Sequence, residues 1–549
     1  MVYLEKRKNG NQTYVYLCRK ERVNGKVKRT LNIYLGNENK LEEKFKKENT
    51  PLMDVEALDF GYIAVLYYVT ELMNLSSIVN DCTEKREQGI SVGEYVTLAV
   101  INRITEPCSK NAIVGWYKDT WLSRKLIYDP ESLTSQAYWN NLKYVTPEAI
   151  SAIEIKLDEF LLKFFDVNLD CLLFDPTNFH TFIKTFKRGE LPKRGKAKSG
   201  RNDLNLVALS LVVTKDKGIP LMHQTYAGNR FDSKHFKSFI PAFIERCKAL
   251  NQECKGITLV FDKGNNSAKN IKDLDRQGLN YIASLKPSYF KHLLAIPESE
   301  FVRFSLLKTK KEVAAHETTA TIFNKPDQRV IISKNKKRER RSVILLLKKI
   351  DFIVEELLDL RAKLNIHVWK RRDRVEKKIK EFLSREAGKC IRVEVHGSDG
   401  ALSMSIVLDG DALEAKREAY GRTLLTTSRV DWTAAEVIEA YRKQYVVETQ
   451  FKEMKCVDSI RTTPLFCWTD QKIRAHMFIC VVALIIKCVV RELLLQKGIQ
   501  LSHTKIKKNL ERVRLITGKS SGSKEFQQLA SMSGLSKELV DALSLPDLL

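Results

Sequence analysis

Two aspartates and a glutamate form the candidate chemistry of this chain. Asp175 closes the apolar run Leu169-Asp170-Cys171-Leu172-Leu173-Phe174, and Asp262 closes Gly256-Ile257-Thr258-Leu259-Val260-Phe261. Glu448 sits inside a long helical pattern, Tyr441 to Lys455. Carboxylates are hard oxygen ligands, which suit Mg²⁺ or Mn²⁺, and Mg²⁺ keeps room for water and phosphate oxygens. Two such ions roughly 3.5–4 Å apart activate a water or a hydroxyl and stabilise the leaving oxygen of an in-line displacement, with no covalent nucleophile. An Asp at one strand end is commonly just a turn residue. Two in successive strands, followed by a helical Glu, are harder to dismiss. His180, five residues after Asp175, is expected to be structural.

The glutamate helix starts at Thr433-Ala434-Ala435-Glu436, a capping-box signal, and meets no Gly or Pro before Lys455. The pattern predicts one continuous helix. On a 3.6-residue period Tyr441, Glu448 and Lys455 share a face with Gln444 and Lys452. Val437, Ile438, Val447, Phe451 and Met454 supply an apolar side. One carboxylate among cations and a Tyr hydroxyl suits a metal beside a phosphate chain: Lys455 as a point charge on a phosphate, Tyr441 as a hydroxyl donor or a stacking surface. The same pattern in isolation describes an ordinary solvated helix.

The elements around these residues alternate. The order is strand with Asp175, basic loop Lys184–Arg201, strands 204–214 and 219–226 joined by Lys215-Asp216-Lys217-Gly218, helix 233–250, strand with Asp262, helix from Ser267, and strand 281–284. Pro176 cannot continue a central ladder, so Asp175 is expected at its strand's end. Residues 288–420 depart from the alternation and read as an insertion, with a cationic run Ser333–Arg341 and two long charged helices. Strand 423–427 returns the chain to the main sheet.

Upstream, residues 1–50 read as a small basic β module with an Asn24-Gly25 hairpin turn, and 51–166 as several short helices. Either could read DNA; neither offers a recognition helix by sequence alone. Residues 491–549 read as a helical tail. The 549 residues carry 93 Lys and Arg against 67 Asp and Glu, a net charge of +26 that favours a polyanionic partner. The eleven cysteines show no C-x-x-C pair, which argues for reduced thiols rather than a zinc or disulfide framework. The apolar run Met477–Ile486 is too short to span a bilayer, and no membrane role is expected.

These pieces, in this order, resemble the DDE transposases of bacterial insertion sequences, in the insertion-sequence-four superfamily and its "sixteen thirty-four"-like group. The matching segments are Leu173-Phe174-Asp175-Pro176, Gly218-Ile219-Pro220-Leu221, Tyr226-Ala227-Gly228-Asn229, Val260-Phe261-Asp262-Lys263-Gly264, Tyr281 to Lys286, Ile473-Arg474-Ala475-His476, and a Tyr-(2)-Arg-(3)-Glu-(6)-Lys signature spanning Tyr441 to Lys455. Gln444 stands where the signature has Arg, so that phosphate contact is weakened or moved to Arg442 or Lys443. The resemblance implies an α/β ribonuclease H-like core, 167–287 with 421–490, interrupted by the insertion 288–420. It implies Asp175, Asp262 and Glu448 as catalytic ligands for Mg²⁺ or Mn²⁺, with two ions. Tyr441, Arg442, Gln444, Lys452 and Lys455 are expected to touch DNA. The implied reaction is cleavage at terminal inverted repeats and strand transfer into target DNA by a 3′-hydroxyl, by a homodimer on paired ends in a bacterial cytoplasm. The rival expectations are an inactive DNA-binding derivative and a related metal-dependent nuclease.

Overall fold

The computed structural model describes residues 2–10, 12–23, 26–40, 52–84, 89–183, 189–198, 200–306, 310–465, 467–520, 526–530 and 532–548. The Asn24-Gly25 turn and the first part of the basic loop, 184–188, lie outside them. The chain divides into two compact units.

The first unit comprises 1–68, 112–131 and 497–549. It holds an antiparallel sheet of Val2–Asn9, Gln12–Val23 and Lys26–Asn37, and a second sheet in which Arg514–Ser520 pairs with both Phe526–Leu529 and Leu52–Asp59. The tail expected to be wholly helical therefore supplies two strands. Its apolar alternation was too short to reveal them before the partner strand Leu52–Asp59 was in place. The helical segment expected over 51–166 is divided between the two units.

The second unit, 69–111 with 132–496, is built on a ten-stranded mixed sheet. Its strands are β1 (Cys171–Thr181), β2 (Lys193–Arg194), β3 (Asn205–Thr214), β4 (Pro220–Ala227), β5 (Thr258–Phe261), β6 (Asn280–Ser284), β7 (Val302–Ser305), β8 (Glu312–Ile322) and β9 (Lys325–Lys334). The tenth strand, Arg422–Thr427, follows a separate hairpin, β10 (Ile391–His396) with β11 (Ser403–Leu408), and is β12. In space the order is β7-β8-β9-β12-β6-β5-β1-β3-β2, with β4 pairing the same edge of β3 as β2, further along it. β1, β5 and β6 run parallel, whereas β3, β4 and β12 are antiparallel to their neighbours. β1, β3 and β5 are almost continuously buried, as strands with both faces covered must be.

Of the residues expected as an insertion, Val302–Lys334 carry the main sheet outward through β9 pairing with β12. Helices α4 (Lys336–Ala362) and α5 (Arg372–Leu383) pack with the β10–β11 hairpin around their own core of Leu346, Ile350, Leu357, Val375 and Phe382.

The helices that flank the sheet are α1 (Pro147–Phe165), α2 (Asp232–Ala249), α3 (Ala268–Arg276), α7 (Ala434–Arg442), α8 (Tyr445–Lys455) and α9 (Asp470–Gln496), with α6 (Gly410–Ala419) before β12. The apolar run of α9 is a buried core helix: Met477 to Ile486 are all at most 3% exposed. Among the described residues no single helix is long and apolar enough to cross a membrane.

Two expectations about the backbone are corrected. β1 does not stop at Asp175 but runs on to Thr181, with Pro176 opposite Ser210 of β3. Its pairing with β5 ends at Leu173–Val260, so beyond that point one side of β1 has no ladder for a proline to break. The glutamate helix is also not continuous. It breaks at Lys443-Gln444 into α7 and α8, joined by short-range bonds from Gln444 N to Tyr441 O (3.0 Å) and Val446 N to Lys443 O (2.7 Å).

Candidate active site

The parallel register sets the first two acids. Leu173 of β1 pairs with Val260 of β5, and Asp175 and Asp262 each lie two residues further on. Equal offsets on adjacent parallel strands put both side chains on the same face, one strand spacing of about 4.8 Å apart. Asp262 stays extended and begins a short turn that runs into α3. Ser284 at the end of β6 donates its hydroxyl to Asp262 Oδ1 at 2.5 Å and accepts the Lys263 N–H at 3.0 Å. Asn266 caps the same strand end through Ser284 O (2.6 Å). The turn carrying Asp262 is thus fastened at both ends to β6.

The third acid arrives on α8, and the ties that hold α8 are polar side chains. Gln444, buried at the break, donates its amide to Phe174 O, the residue before Asp175, at 2.8 Å. Gln450 donates to Gly218 O at 2.9 Å, in the turn between β3 and β4. Gly218 has φ of +68°, and a Cβ there would stand 2.8 Å from Val446 of α8. A side chain at 218 would therefore be strained by the backbone and obstructed by the helix. Lys455 donates to Thr177 Oγ1 at 2.7 Å, and its ammonium lies 5.2 Å from the centre of the Phe179 ring. Glu448 itself is exposed on this face, and its charge is felt at Asp175.

The charges of the group act on one another. Burial pushes the Asp175 carboxyl up to about 7, with Asp262, Asp232 and Glu448 adding to the rise and Lys198 opposing it. Tyr441, 3.4 Å from Asp262 Oδ1 through its hydroxyl, is pushed up to about 12 by burial and by that carboxylate. Burial brings the Lys455 ammonium down to about 8, helped by repulsion from Lys198 and opposed by Asp175.

Three of the residues expected to touch DNA thus meet the acids or the strand that carries them: Tyr441 at Asp262, Gln444 at Phe174 and Lys455 at Thr177. Gln444 faces the strand through this contact. It is 8% exposed and its amide donates to β1. Lys452 is exposed on α8. Arg442 is directed elsewhere, into a cleft with Lys215, Trp432 and Tyr445. His180 lies further along β1 with its ring against Phe182.

Sequence reasoning missed three residues. Asp232 opens α2, accepts the Tyr226 hydroxyl at 3.4 Å, and stands 3.5 Å from where a Cβ of Gly264 would be, next to the Asp262 turn. Burial raises its carboxyl, and Asp262 adds to the rise. Tyr226 in turn stacks on His235 at 3.6 Å. The signal was the motif Tyr226-Ala227-Gly228-Asn229: a Cβ on Gly228 would strike Leu206 O of β3, so the chain turns into α2 only with glycine there. Arg338, in the first turn of α4, bonds Thr423 Oγ1 at 3.3 Å and acts electrostatically on Tyr441. Its signal was the cationic run that opens α4. Lys198, in the basic loop, donates to Pro176 O.

The arrangement gathers acids on one sheet face and places lysines beside them. The family of such a chain is shown directly: the model of the transposase DDE domain matches residues 171–486, more than half of the sequence. The chain belongs to the DDE transposase family, which makes it a transposition enzyme. Among solved structures, the piggyBac transposase synaptic complex with hairpin DNA aligns at a TM-score of 0.35 and 9% identity, over 83% of this chain and 82% of that one. That likeness is too distant to place any residue. No curated protein matches.

Proposed function

We propose that this transposase cuts DNA at the ends of an insertion sequence and joins the freed 3′-hydroxyl to target DNA, using Asp175, Asp262 and Glu448 as metal ligands. The observation that carries the reading is the matched offset of Asp175 and Asp262 on parallel β1 and β5, with the Glu448 helix tied by Gln444 to the residue before Asp175.

The order β4-β3-β1-β5-β6, antiparallel then parallel, supports a ribonuclease H-like core, and the Tyr441-to-Lys455 signature supports the insertion-sequence-four superfamily and a bacterial nucleoid setting. The all-carboxylate donor set fits Mg²⁺ or Mn²⁺. Among the described residues no three such side chains already stand within reach of one ion, so metal binding is read as drawing them together. Bound there, one or two divalent ions would supply Lewis acidity to the attacking and leaving oxygens of a phosphodiester. The chain's own residues then do the remaining work. Ser284 and Tyr441 orient Asp262, Gln444 fixes Glu448 against β1, and Lys455 offers its charge to a backbone phosphate. The charge of +26 favours double-stranded DNA as the partner, both terminal repeats and target, held as a homodimer on paired ends.

The test is cleavage and joining on a labelled duplex carrying the flanking repeats of the chain's own gene, with Mg²⁺, Mn²⁺ or EDTA. Metal-dependent nicks at the repeat ends with joined products are expected, and Asp175→Asn, Asp262→Asn or Glu448→Gln should each abolish them while DNA binding survives. Cutting without joining would make the protein a nuclease. Tight, salt-sensitive binding without cutting in either metal would make it an inactive DNA-binding derivative.

A further inference from the structure

We propose that Lys198 is a further catalytic residue, which with Lys455 forms a two-ammonium seat for a non-bridging oxygen of the scissile phosphodiester. The proposal rests on the reading of Asp175, Asp262 and Glu448 as the phosphodiester site.

Lys198 belongs to the basic loop between β2 and β3, which by sequence alone is a solvated run of charge. The structure pins it to β1. Asn178 donates to Lys196 O at 3.0 Å and accepts the Lys198 N–H at 3.1 Å. The Ala197 N–H is held by Asn202 Oδ1 at 3.0 Å. The backbone of 196–198 is therefore fixed, and the Lys198 ammonium lands on Pro176 O. Lys455, on α8, lands on Thr177 Oγ1. Two ammoniums thus converge on successive residues of β1, immediately beyond Asp175.

Such a pair repels itself, and the repulsion contributes to holding the Lys455 ammonium down. Among the described residues neither ammonium has a carboxylate oxygen within 4.0 Å to offset it. Each has used one donor on the protein and retains two. An oxygen of charge −1 that accepts from both relieves the repulsion and satisfies those donors. The site also needs them for a second reason. A phosphodiester entering here meets Asp175, Asp232, Asp262 and Glu448, and Lys198 is the cation that acts on both Asp175 and Asp232. The lysines act as point charges. Neither forms a bond to phosphorus and neither gives up a proton.

The experiment uses the full chain and the same labelled repeat duplex. Lys198→Met keeps the aliphatic stem and removes the charge. It should slow single-turnover cleavage about 10²-fold, the usual loss of one charge-stabilising donor. It should also lower the slope of log affinity against log salt by about one. Lys198→Arg should restore the slope. A substrate with a methylphosphonate at the scissile position should be cut more slowly by wild type and show no further loss with Lys198→Met. Wild-type cleavage by Lys198→Met with an unchanged salt slope overturns the proposal. So does loss of additivity at a neighbouring phosphate instead. If wild type cuts nothing in either metal, the phosphodiester-transfer reading has failed separately. The salt slope then decides alone: unchanged, it also removes the lysine seat; lowered by one and restored by Arg, it keeps the seat as a phosphate site.

Discussion

Replacing Asp175 by Asn should make the metal-free protein more stable, and only above acidic pH. The ordinary carboxyl value is 3.8, and in the folded chain burial, with neighbouring acids, pushes Asp175 to about 7. Each tenfold change in proton affinity is worth about 1.4 kcal/mol, so ionising Asp175 costs up to about 4 kcal/mol more in the folded chain than in the unfolded one. Between these two values the native state binds more protons than the unfolded state. Stability therefore falls as pH rises from about 4 to about 7 and is flat on either side of that window. Asn cannot ionise and escapes the loss. Urea unfolding in EDTA, followed by circular dichroism, should show Asp175→Asn and wild type alike near pH 4 and the mutant more stable by up to about 4 kcal/mol at pH 8. Saturating Mg²⁺ should close part of the gap, because binding stabilises only the protein that can hold the ion, by about 2.7 kcal/mol at a hundredfold excess over its Kd. A mutant no more stable than wild type at pH 8, or a gap that does not shrink toward pH 4, would refute the crowding of charge at this site.

Two further substitutions probe the scaffold around the acids. Gln444→Ala removes the 2.8 Å bond to Phe174 O and leaves a buried carbonyl without its donor, which should cost about 1–3 kcal/mol in urea unfolding and lower single-turnover cleavage while filter binding of DNA is retained. Ser284→Ala releases Asp262 and the Lys263 N–H together, and should raise the Mg²⁺ concentration needed for half-maximal cleavage about 10–100-fold with little change in DNA affinity.

Much of the site could be read from the chain because local chemistry signals it. An apolar run closed by an aspartate marks a buried strand that carries an acid, and two such strands separated by a hairpin and a helix specify a short list of topologies. What the sequence could not carry was register. That Asp175 and Asp262 sit at equal offsets depends on Leu173 meeting Val260, which no single strand states. Asp232 was invisible for a similar reason. On its own it is an acid in the first turn of a helix, where acids are ordinary. Only the turn at Gly228 and the Asp262 loop bring it to the other carboxylates.

The break between α7 and α8 shows how periodicity can name the right residues on the wrong backbone. A seven-residue spacing places Tyr441, Glu448 and Lys455 on one face of an unbroken helix. In the structure the chain is interrupted between the first and the second, with neither Gly nor Pro to announce it. The interruption is tertiary in origin: Gln444 turns inward to β1, and the two bonds that close the junction each span three residues rather than four. Tyr441 then reaches Asp262 from α7, while Lys455 reaches Thr177 from α8. The two contacts are made by separate rigid pieces. The substitution at Gln444 should cost cleavage more than its stability loss alone accounts for, since it loosens the bond between the start of the Glu448 helix and the residue before Asp175.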